Sequence, residues 1–574
     1  MTGSSGLLET DAGNGAIHDD EVVLVFPPAM HPTSPPLGIA ALKAFLQMTH
    51  PSVQVRAVDL NLEFHRQAAS WVQEGRLRMR ISGMDADLAA VKIAEVNRFL
   101  QGEEGFASFL ELDRYNVAAS FYEKYASVLH GLFDHFCRRT LCDLTVPPLA
   151  ERFLRELIQP VLRFSPRIAG FSILFSQQLI FALAMAKILK EHGVAVVLGG
   201  ATLSVMPHPE GLLERDFPLQ VGGEWHRVDS RRILDLMVLG EGEVGISRLL
   251  GQLGGELARV PGLVYRQNGR VVSSPPLMIP DLDALPLPDF SDFDLSGYLS
   301  PLPVLPYLSS RGCFWGRCAF CTHRKTYLAY REESEEQTAA RLKELSVRHG
   351  VIHFNFVDEM IHPRRLARLS RELLGQDAEI TWSVYAKPTG SFDPPLMERL
   401  HRSGLRLVMW GVESGSQRVL DAMGKGVRAE RAGRILTFAH HAGVWNLVFL
   451  LFGFPTETEA EWEETLRFLE KYREAVHAVS KSRFVLLAGS KVMKDPEKYG
   501  ITRVLERPER DLVSIAYDYR IRSGLTQEEV RRRFQEQLPR LERVGKSPHF
   551  GIFRDHLLLH ASAFRVPEGG FPRR

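Results

Sequence analysis

Three of the chain's five cysteines, Cys313, Cys318 and Cys321, fall within nine residues, in the segment LSSRGCFWGRCAFCTH. An odd number of thiols crowded into one loop suits a metal site better than a disulfide framework, which needs even pairing. Three thiolates can ligate an iron-sulfur cluster and leave one iron open to a ligand that is not protein. Structural zinc is the competing reading: zinc takes four protein ligands and no nearby fourth cysteine or well-spaced histidine completes such a site, but His323 follows closely enough behind the last cysteine to keep that reading open. Cys137 and Cys142 lie far upstream in apolar, helical sequence and read as packed thiols.

The elements around the loop must present it to a partner. Downstream, the runs HFNFV, ITWSVYA, LRLVMWGV and VWNLVFLLFG alternate with helical segments such as PRRLARLSRELL and RAGRILTFAHHAG. That alternation predicts a parallel sheet with right-handed crossovers, curled into a partial (β/α)6 barrel whose reactive face lies at the strand C-termini. The strand ends therefore supply the candidates. Asp358 and Glu359 follow the second strand, Lys387 the third, Glu413 and Ser414 the fourth (GVESGSQRVLDAMGKG), and Gly453 and Pro455 the fifth (FGFPTET). A carboxylate pair can hold an ammonium group by charge-assisted hydrogen bonds. Solvated loop acids, a surface lysine and an ordinary strand-ending turn are the plainer readings of the same residues.

Taken in order across residues 305–490, the cysteine loop and these four strand ends resemble the radical S-adenosylmethionine (SAM) enzymes, and GVESGS resembles the subgroup shared with the methylthiotransferases. The resemblance implies a 4Fe-4S cluster on Cys313, Cys318 and Cys321, with SAM bound at the free iron and cleaved to a 5'-deoxyadenosyl radical. It further implies SAM contacts from Phe320, Asp358, Glu359, Lys387, Glu413, Ser414, Gly453 and Pro455. The two acids would meet the amino group, Lys387 the carboxylate, and the FGFPTET loop the adenine. One departure is the spacing C-x4-C-x2-C, where the family most often has C-x3-C-x2-C. Gly316 lies inside the longer gap and can take backbone angles closed to other residues, which lets the loop absorb the extra position.

Upstream, EVVLVFPP, VQVRAVDLN, RIAGFSI, VAVVLGGATLS and LMVLGEGE read as short parallel strands separated by helices. They predict a doubly wound parallel sheet, which binds ligands outside the carboxyl ends of its strands. The segments PPLGIAAL, LGGATLS and LGEGE, preceding a radical SAM core, resemble the cobalamin-binding domain of cobalamin-dependent radical SAM enzymes. On that resemblance Pro36, Leu37, Gly38, Ser176, Gln177, Gly199, Gly200, Ala201, Thr202, Gly240, Glu241 and Gly242 would contact cobalamin. No D-x-H-x-x-G signature is present, so cobalamin is expected to bind with no protein imidazole on cobalt. A degenerate domain that has lost cobalamin is the alternative.

A chain of 574 residues should form several domains. The expected division is a disordered tail over 1–20, a cobalamin-binding-like domain over 21–260 with a helical insertion at 62–165, a linker over 261–300, the radical SAM core over 301–490, and a mainly helical region over 491–574. The insertion is far longer than any crossover needs and would cap the corrin or close the substrate cavity. HLLLHASAF is expected to pack on the barrel mouth, with His556 and His560 as a structural pair. Lys and Arg number 70 against 69 Asp and Glu, for a net charge of +1, so no overall field recruits nucleic acid. The run VWNLVFLLFGF is too short to span a membrane, and the acidic N-terminal stretch lacks the pattern of a signal peptide. Few cysteines and a reducible cluster point to the cytoplasm.

The fold expectation is thus α/β throughout, and the functional expectation is a radical SAM methyltransferase of the cobalamin-dependent class. Its substrate would be an unactivated carbon, or phosphorus, of a small natural product or peptide, with a flavodoxin- or ferredoxin-type protein as electron donor. Rearrangement or cyclisation without methyl transfer is the alternative within the same fold. A zinc-stabilised ligand-binding protein is the alternative of another class.

Overall fold

A computed structural model describes residues 21–214, 216–252, 255–322, 327–505 and 515–563. The expected tail over 1–20, and His323 of the zinc reading, lie outside the described residues.

The first sheet is built on β1 (Glu21–Phe26), whose Val22 to Val25 are buried on both faces, as a central parallel strand requires. Around it stand β2 (Gln54–Asp59), β3 (Ile168–Ser172), β4 (Ala195–Gly199) and, after an antiparallel hairpin of β5 (Asp216–Val221) and β6 (Glu224–Asp229), β7 (Leu236–Val238). The order β2-β1-β3-β4-β7 is parallel throughout. It is the doubly wound order with its switch point beside β1 and β3. The expected linker begins later than residue 261, because β8 (Leu263–Gln267) and β9 (Arg270–Ser273) continue the sheet antiparallel from β7.

Between β2 and β3 the chain forms a helical layer dominated by the 30-residue helix Leu112–Leu141. Its aromatic face does not stop at the first sheet. Phe64, Phe133 and Phe153 belong to one continuous core with Phe181 of the sheet's own helix and with Leu407, Met409, Leu447 and Leu557 of the second half of the chain. The insertion thereby welds the two sheets together with apolar surface, the least directional and most area-efficient means available. Cys137 is buried in this core and burial pushes its thiol far up, while burial pushes the half-buried Cys142 up to about 11; both are packed, unreactive thiols.

The second sheet is the barrel: β10 (Val304–Tyr307), β13 (His353–Phe356), β14 (Thr381–Ala386), β15 (Leu405–Glu413), β16 (Trp445–Phe452) and β17 (Ala478–Arg483), in that order and all parallel. The missing numbers belong to a two-stranded clip of β11 (Ser310–Arg311) and β12 (Arg331–Glu332). The crossover helices are locally encoded. Ser334 caps Glu335–His349 through the Gln337 amide and Gly350 closes it in the left-handed region, while Thr458 and Glu461 form a capping box on Glu459–Lys471. Trp382, Val384, Trp410 and Val412 pack outward against these helices, and Met409 and Leu447 face inward.

The region from residue 491 is mainly helical, with helices Gln527–Glu542 and Arg554–Ala563, and it also carries strands. β18 (Leu486–Leu487), β19 (Ile501–Leu505) and β20 (Ala516–Ile521) form an antiparallel sheet beside the barrel. The C-terminal helix Arg554–Ala563 lies inside the barrel rather than across its mouth. Its Ser562 hydroxyl meets Thr381 at the start of β14 and its Arg554 meets Tyr385 near the end, so it runs down the interior against the strand direction. His556 is satisfied by Tyr115 (3.1 Å) and the Leu299 carbonyl (2.6 Å), whereas His560 Nε2 has no hydrogen-bond partner among the described residues. No helix among the described residues is long and apolar enough to cross a membrane.

Candidate active site

The cysteine loop leaves the barrel between β11 and β12, and the residue that opens it is anchored in the first domain. Arg311, buried, donates to Glu241 at 2.8 Å and pairs with Glu243; Arg331 also donates to Glu241, at 3.1 Å. Burial disfavours charge on these groups. The carboxylates of Glu243 and Glu241 instead hold the Arg311 guanidinium charged, and Arg331 and Arg311 hold the Glu241 carboxyl below its ordinary range against the burial that would raise it. The expectation that Glu241 contacts cobalamin is therefore corrected: its oxygens are taken by two arginines and the Ile279 amide.

Within the loop Gly316 has φ +56°, the left-handed conformation that makes room for the extra residue of the spacing. Trp315 donates from Nε1 to the Gly424 carbonyl at 2.9 Å, and its ring lies over Gly426, where a Cβ would come within 2.3 Å of it. Ala319 donates to Met423 (2.8 Å) and Lys491 to the Arg317 carbonyl (3.0 Å). The loop is thus pinned by the segment that follows β15 and by the C-terminal region.

Two buried lysines stand beside the thiols. Lys387, 2% exposed, places Nζ 3.1 Å from the centroid of the Trp315 ring, a desolvated cation–π contact. Its charge is felt by Cys318 and Cys313, and that of Lys425 by Cys318 and Cys321. Burial and the like charge of Lys425 push Lys387 down to about 8, while Glu413, 2.7 Å from Lys425, keeps the latter charged in spite of burial. Burial pushes the Cys318 thiol up. Ammonium groups beside thiols favour the thiolate, the form that ligates metal. Among the described residues no three His, Cys, Asp or Glu side chains gather closely enough to hold a single ion.

The remaining strand-end residues divide into those facing this cluster of charges and those bracing it. Glu413 has φ +72° at a register shift between Gly411 and Glu413, a strained conformation that turns its carboxylate to Lys425. Asp358 corrects the expectation of a SAM contact: it is 1% exposed and accepts from the Ser309 amide (3.2 Å), the Ser309 hydroxyl (2.9 Å) and the Ser310 hydroxyl (2.5 Å). Burial pushes its carboxyl up, against the pull of Arg365. Its neighbour Glu359 is only half-buried. Ser414 is likewise a brace, its hydroxyl shared between Thr465 (3.0 Å) and the Ser416 amide (3.1 Å). Gly453 donates to Glu457 at 2.5 Å, Pro455 is buried beside it, and Phe320 packs against the small core cluster that includes Phe454 and Met423.

Across the interface, the carboxyl ends of β1 and β3 border a cavity of about 480 Å³ lined by Ala29, His31, Gln177 and, from the insertion, Glu123, His130 and Asp134. His31 Nδ1 is buried there without a hydrogen-bond partner among the described residues, and burial pushes the imidazole below its ordinary range against the Glu123 carboxylate. Gln177 and Ser176 are exposed at this edge next to Leu174 and Phe175, large apolar side chains 50% and 42% exposed. Pro36 and Leu37 are half-buried and Gly38 is exposed at the start of helix Leu37–Thr49; Gly199 ends β4 and Gly200 and Ala201 follow it, and Gly240 and Gly242 flank the buried Glu241, these five being half-buried. Thr202 is buried, its amide bonded to the Ile173 carbonyl at 3.1 Å, so it shapes the loop rather than presenting a side chain. The site residues that sequence reasoning missed are His31, Trp315 and Lys425. Lys425 was within reach, since the GKG that closes the β15 segment places a lysine between two left-handed glycines.

Comparison with known proteins bears on the barrel and on the fold as a whole. Residues 307–469 match the family model of the Radical SAM superfamily, so the barrel is a radical SAM domain. Over 325 residues, 55% of this chain and 66% of the other, the sequence is 27% identical to a protein of Pyrococcus horikoshii described as an uncharacterized methyltransferase. It is 25% identical over 350 residues to 4'-phospho-dehydrooxetanocin synthase of Priestia megaterium, 55% of this chain and 44% of that one. The chain thus spans less than two thirds of the length of these relatives. Among solved structures, the cobalamin-dependent SAM radical enzyme OxsB, with aqua-cobalamin and SAM bound, superposes with a TM-score of 0.61 at 15% identity, over 90% of this chain and 66% of that chain. The radical SAM methyltransferase TsrM of Kitasatospora setae, with cobalamin and a [4Fe-4S] cluster bound, gives 0.53 at 16%, over 85% and 76%. At such identities the likeness establishes the fold.

Proposed function

We propose that this chain, which carries a radical SAM domain and has the fold of OxsB and TsrM, is a cobalamin-dependent radical SAM methyltransferase acting on an unactivated carbon, or phosphorus, of a small natural product or peptide. One observation carries the reading. The loop bearing Cys313, Cys318 and Cys321 is flanked by Lys387 and Lys425 on the barrel side and fastened through Arg311 to Glu241 and Glu243 on the edge of the doubly wound sheet. Two ligand-binding edges are thereby held at one boundary, the placement that a reaction using two cofactors on one substrate requires.

In this reading the three cysteines ligate the cluster, Lys387 pairs with the SAM carboxylate, Glu359 receives its amino group, and the loop from Gly453 to Pro455 borders the adenine. Glu413 keeps Lys425 charged beside the thiols. Ser176, Gln177, Leu174, Phe175 and His31 border the cobalamin, with Gly199 to Ala201 and Gly240 to Gly242 behind them. Together the two cofactors supply hydrogen abstraction from an unreactive position and delivery of a methyl group to it. The protein's own work is to place them and to exclude water, for which the insertion and the C-terminal helix provide the walls. Electrons come from a flavodoxin- or ferredoxin-type donor in the cytoplasm. A second reading, ring rearrangement without net methylation, has one support: a relative of comparable identity is described as a synthase.

Anaerobic reconstitution with iron and sulfide, followed by SAM and dithionite, tests the assignment. The expected result is bound iron with acid-labile sulfide and release of 5'-deoxyadenosine. Protein that binds zinc in place of iron and leaves SAM intact would refute it.

A further inference from the structure

Arg554 opens the C-terminal helix inside the barrel, far in sequence from every motif that carries the cofactor sites. Its Nη1 donates to the Tyr385 hydroxyl at 2.7 Å and its Nε to the Gly551 carbonyl at 3.4 Å. The guanidinium carbon lies 5.8 Å from the centroid of the Tyr385 ring and 5.1 Å from that of Phe449, two rings stacked 5.8 Å apart at 10°. A guanidinium offers five N–H donors. Two are used, so three have no protein partner among the described residues.

No carboxylate pairs with this arginine among the described residues. The adjacent Asp555 is turned away, holding Thr33 at 2.6 Å and Asn355 at 3.1 Å. Yet Arg554 lies beside the strands that lead to Lys387 and Glu413. Tyr385 precedes Lys387 by two residues on the same side of β14, roughly 7 Å at the strand rise. Phe449 pairs with Gly411, two residues before Glu413. Arg554 therefore lies about two residues short of Lys387 and Glu413 along their strands, half-buried and framed by aromatic rings.

An arginine so placed, with its planar fork open, matches the paired oxygens of a phosphate or carboxylate. We infer that Arg554 is a specificity-determining residue that takes an anionic phosphate or carboxylate group of the substrate inside the barrel. The inference rests on the proposed function only for the word substrate, since the anion site is defined by the chain's own side chains.

Isothermal titration calorimetry of the full chain with inorganic phosphate, and separately with acetate, tests it. The wild-type protein binds at least one of the two anions; saturation by phosphate alone assigns a phosphate ester and by acetate alone a carboxylate. Arg554→Met weakens that binding at least tenfold. Arg554→Lys, which keeps the charge and loses the fork, and Tyr385→Phe, which keeps the charge and loses the orienting hydroxyl, fall between, and they carry the test should the methionine variant fail to fold. Wild-type protein that binds neither anion, or variants that bind as tightly as wild type, overturn the inference and leave Arg554 as a clamp on the helix. The titration needs neither iron nor SAM, so its failure leaves the radical reading standing, and loss of cluster iron leaves the titration unchanged.

Discussion

The carboxylate of Asp555 accepts the Thr33 hydroxyl at 2.6 Å, joining the C-terminal helix to the loop that leaves β1. The same carboxylate accepts the Asn355 amide of β13 at 3.1 Å, so three remote parts of the chain meet on one buried side chain. The loop after β1 is also the one that carries His31 to the cavity at the sheet edge. A polar group this deep is tolerated only when its bonds are made, and it then fixes geometry more sharply than apolar packing can. Together with Arg311 on Glu241, it holds the edge of the first sheet against the barrel at two separated points.

Replacing any one of Cys313, Cys318 and Cys321 with Ala removes most of the reconstituted iron and abolishes SAM cleavage, because each thiolate serves a different iron. Iron analysis and 5'-deoxyadenosine release are the measurements. Cys137→Ser leaves both unchanged, and full activity in all three Ala variants would sink the cluster assignment.

The two acids after β13 should separate in experiment. Asp358→Ala strips the acceptor from Ser309 and Ser310 and leaves buried donors unpaired, a loss of about 1–3 kcal/mol read as a lower melting temperature. Glu359→Gln leaves the fold alone and weakens SAM binding by about 1.5–3 kcal/mol, roughly 10- to 100-fold in Kd, if its carboxylate receives the amino group. Equal SAM affinity in wild type and Glu359→Gln would return this acid to the solvated loop.

Asp358 also marks the limit of sequence reading. The five parallel strands of the first sheet and the strand-helix alternation of the barrel were legible because apolar periodicity and turn residues are local. So was the position of the thiols. Whether an acid at a strand end faces a ligand or a serine pair depends on a contact 49 residues away, from Ser309 to Asp358, which no local pattern records. Glu241 was misread for the same reason, since its partner Arg311 is 70 residues downstream. The helix that enters the barrel could not be placed either, as its even mix of apolar and polar residues fixes a helix and not its site.

Glu457, after β16, gives a pH signature. Burial pushes its carboxyl up to about 8, and Oε1 has no hydrogen-bond partner among the described residues. The unfolded chain releases this proton near pH 4.5 while the native protein keeps it, so the contribution is neutral below pH 4.5 and stability falls as pH rises from there toward 8. The slope is about 1.4 kcal/mol per pH unit for one group. Glu457→Gln, which keeps the shape without the charge, should gain over wild type progressively between pH 5 and 8 in melting temperature. A constant difference across that range would contradict the assignment.

Cobalt provides a test of the first domain. No D-x-H-x-x-G motif is present, but His31 lines the cavity with an unpartnered Nδ1, and burial below its ordinary range keeps it neutral and able to ligate. The expectation remains a cobalt with no protein imidazole. Electron paramagnetic resonance of the cobalt(II) form should be unchanged by labelling the histidines with nitrogen-15 and by His31→Ala. A spectrum altered by both would make His31 the axial ligand, and protein that binds no cobalamin would mark the domain as degenerate.

The chemistry itself is decided by the fate of SAM. A methyltransferase of this design consumes SAM in two ways, as the methyl source and as the source of the hydrogen-abstracting group, so S-adenosylhomocysteine and 5'-deoxyadenosine should appear together, about one of each per methyl transferred. The geometry supports such coupling because the cysteine loop is fastened to the edge of the sheet through Arg311 and Glu241, which fixes the distance between the two uses. With SAM carrying a deuterated methyl group, the label must enter the product. Arg311→Ala leaves Glu241 and Glu243 buried without this cation and loosens that fastening, and it should lower S-adenosylhomocysteine relative to deoxyadenosine. Turnover that yields deoxyadenosine and an unlabelled product would remove the methyltransferase reading and leave rearrangement or cyclisation on the same scaffold.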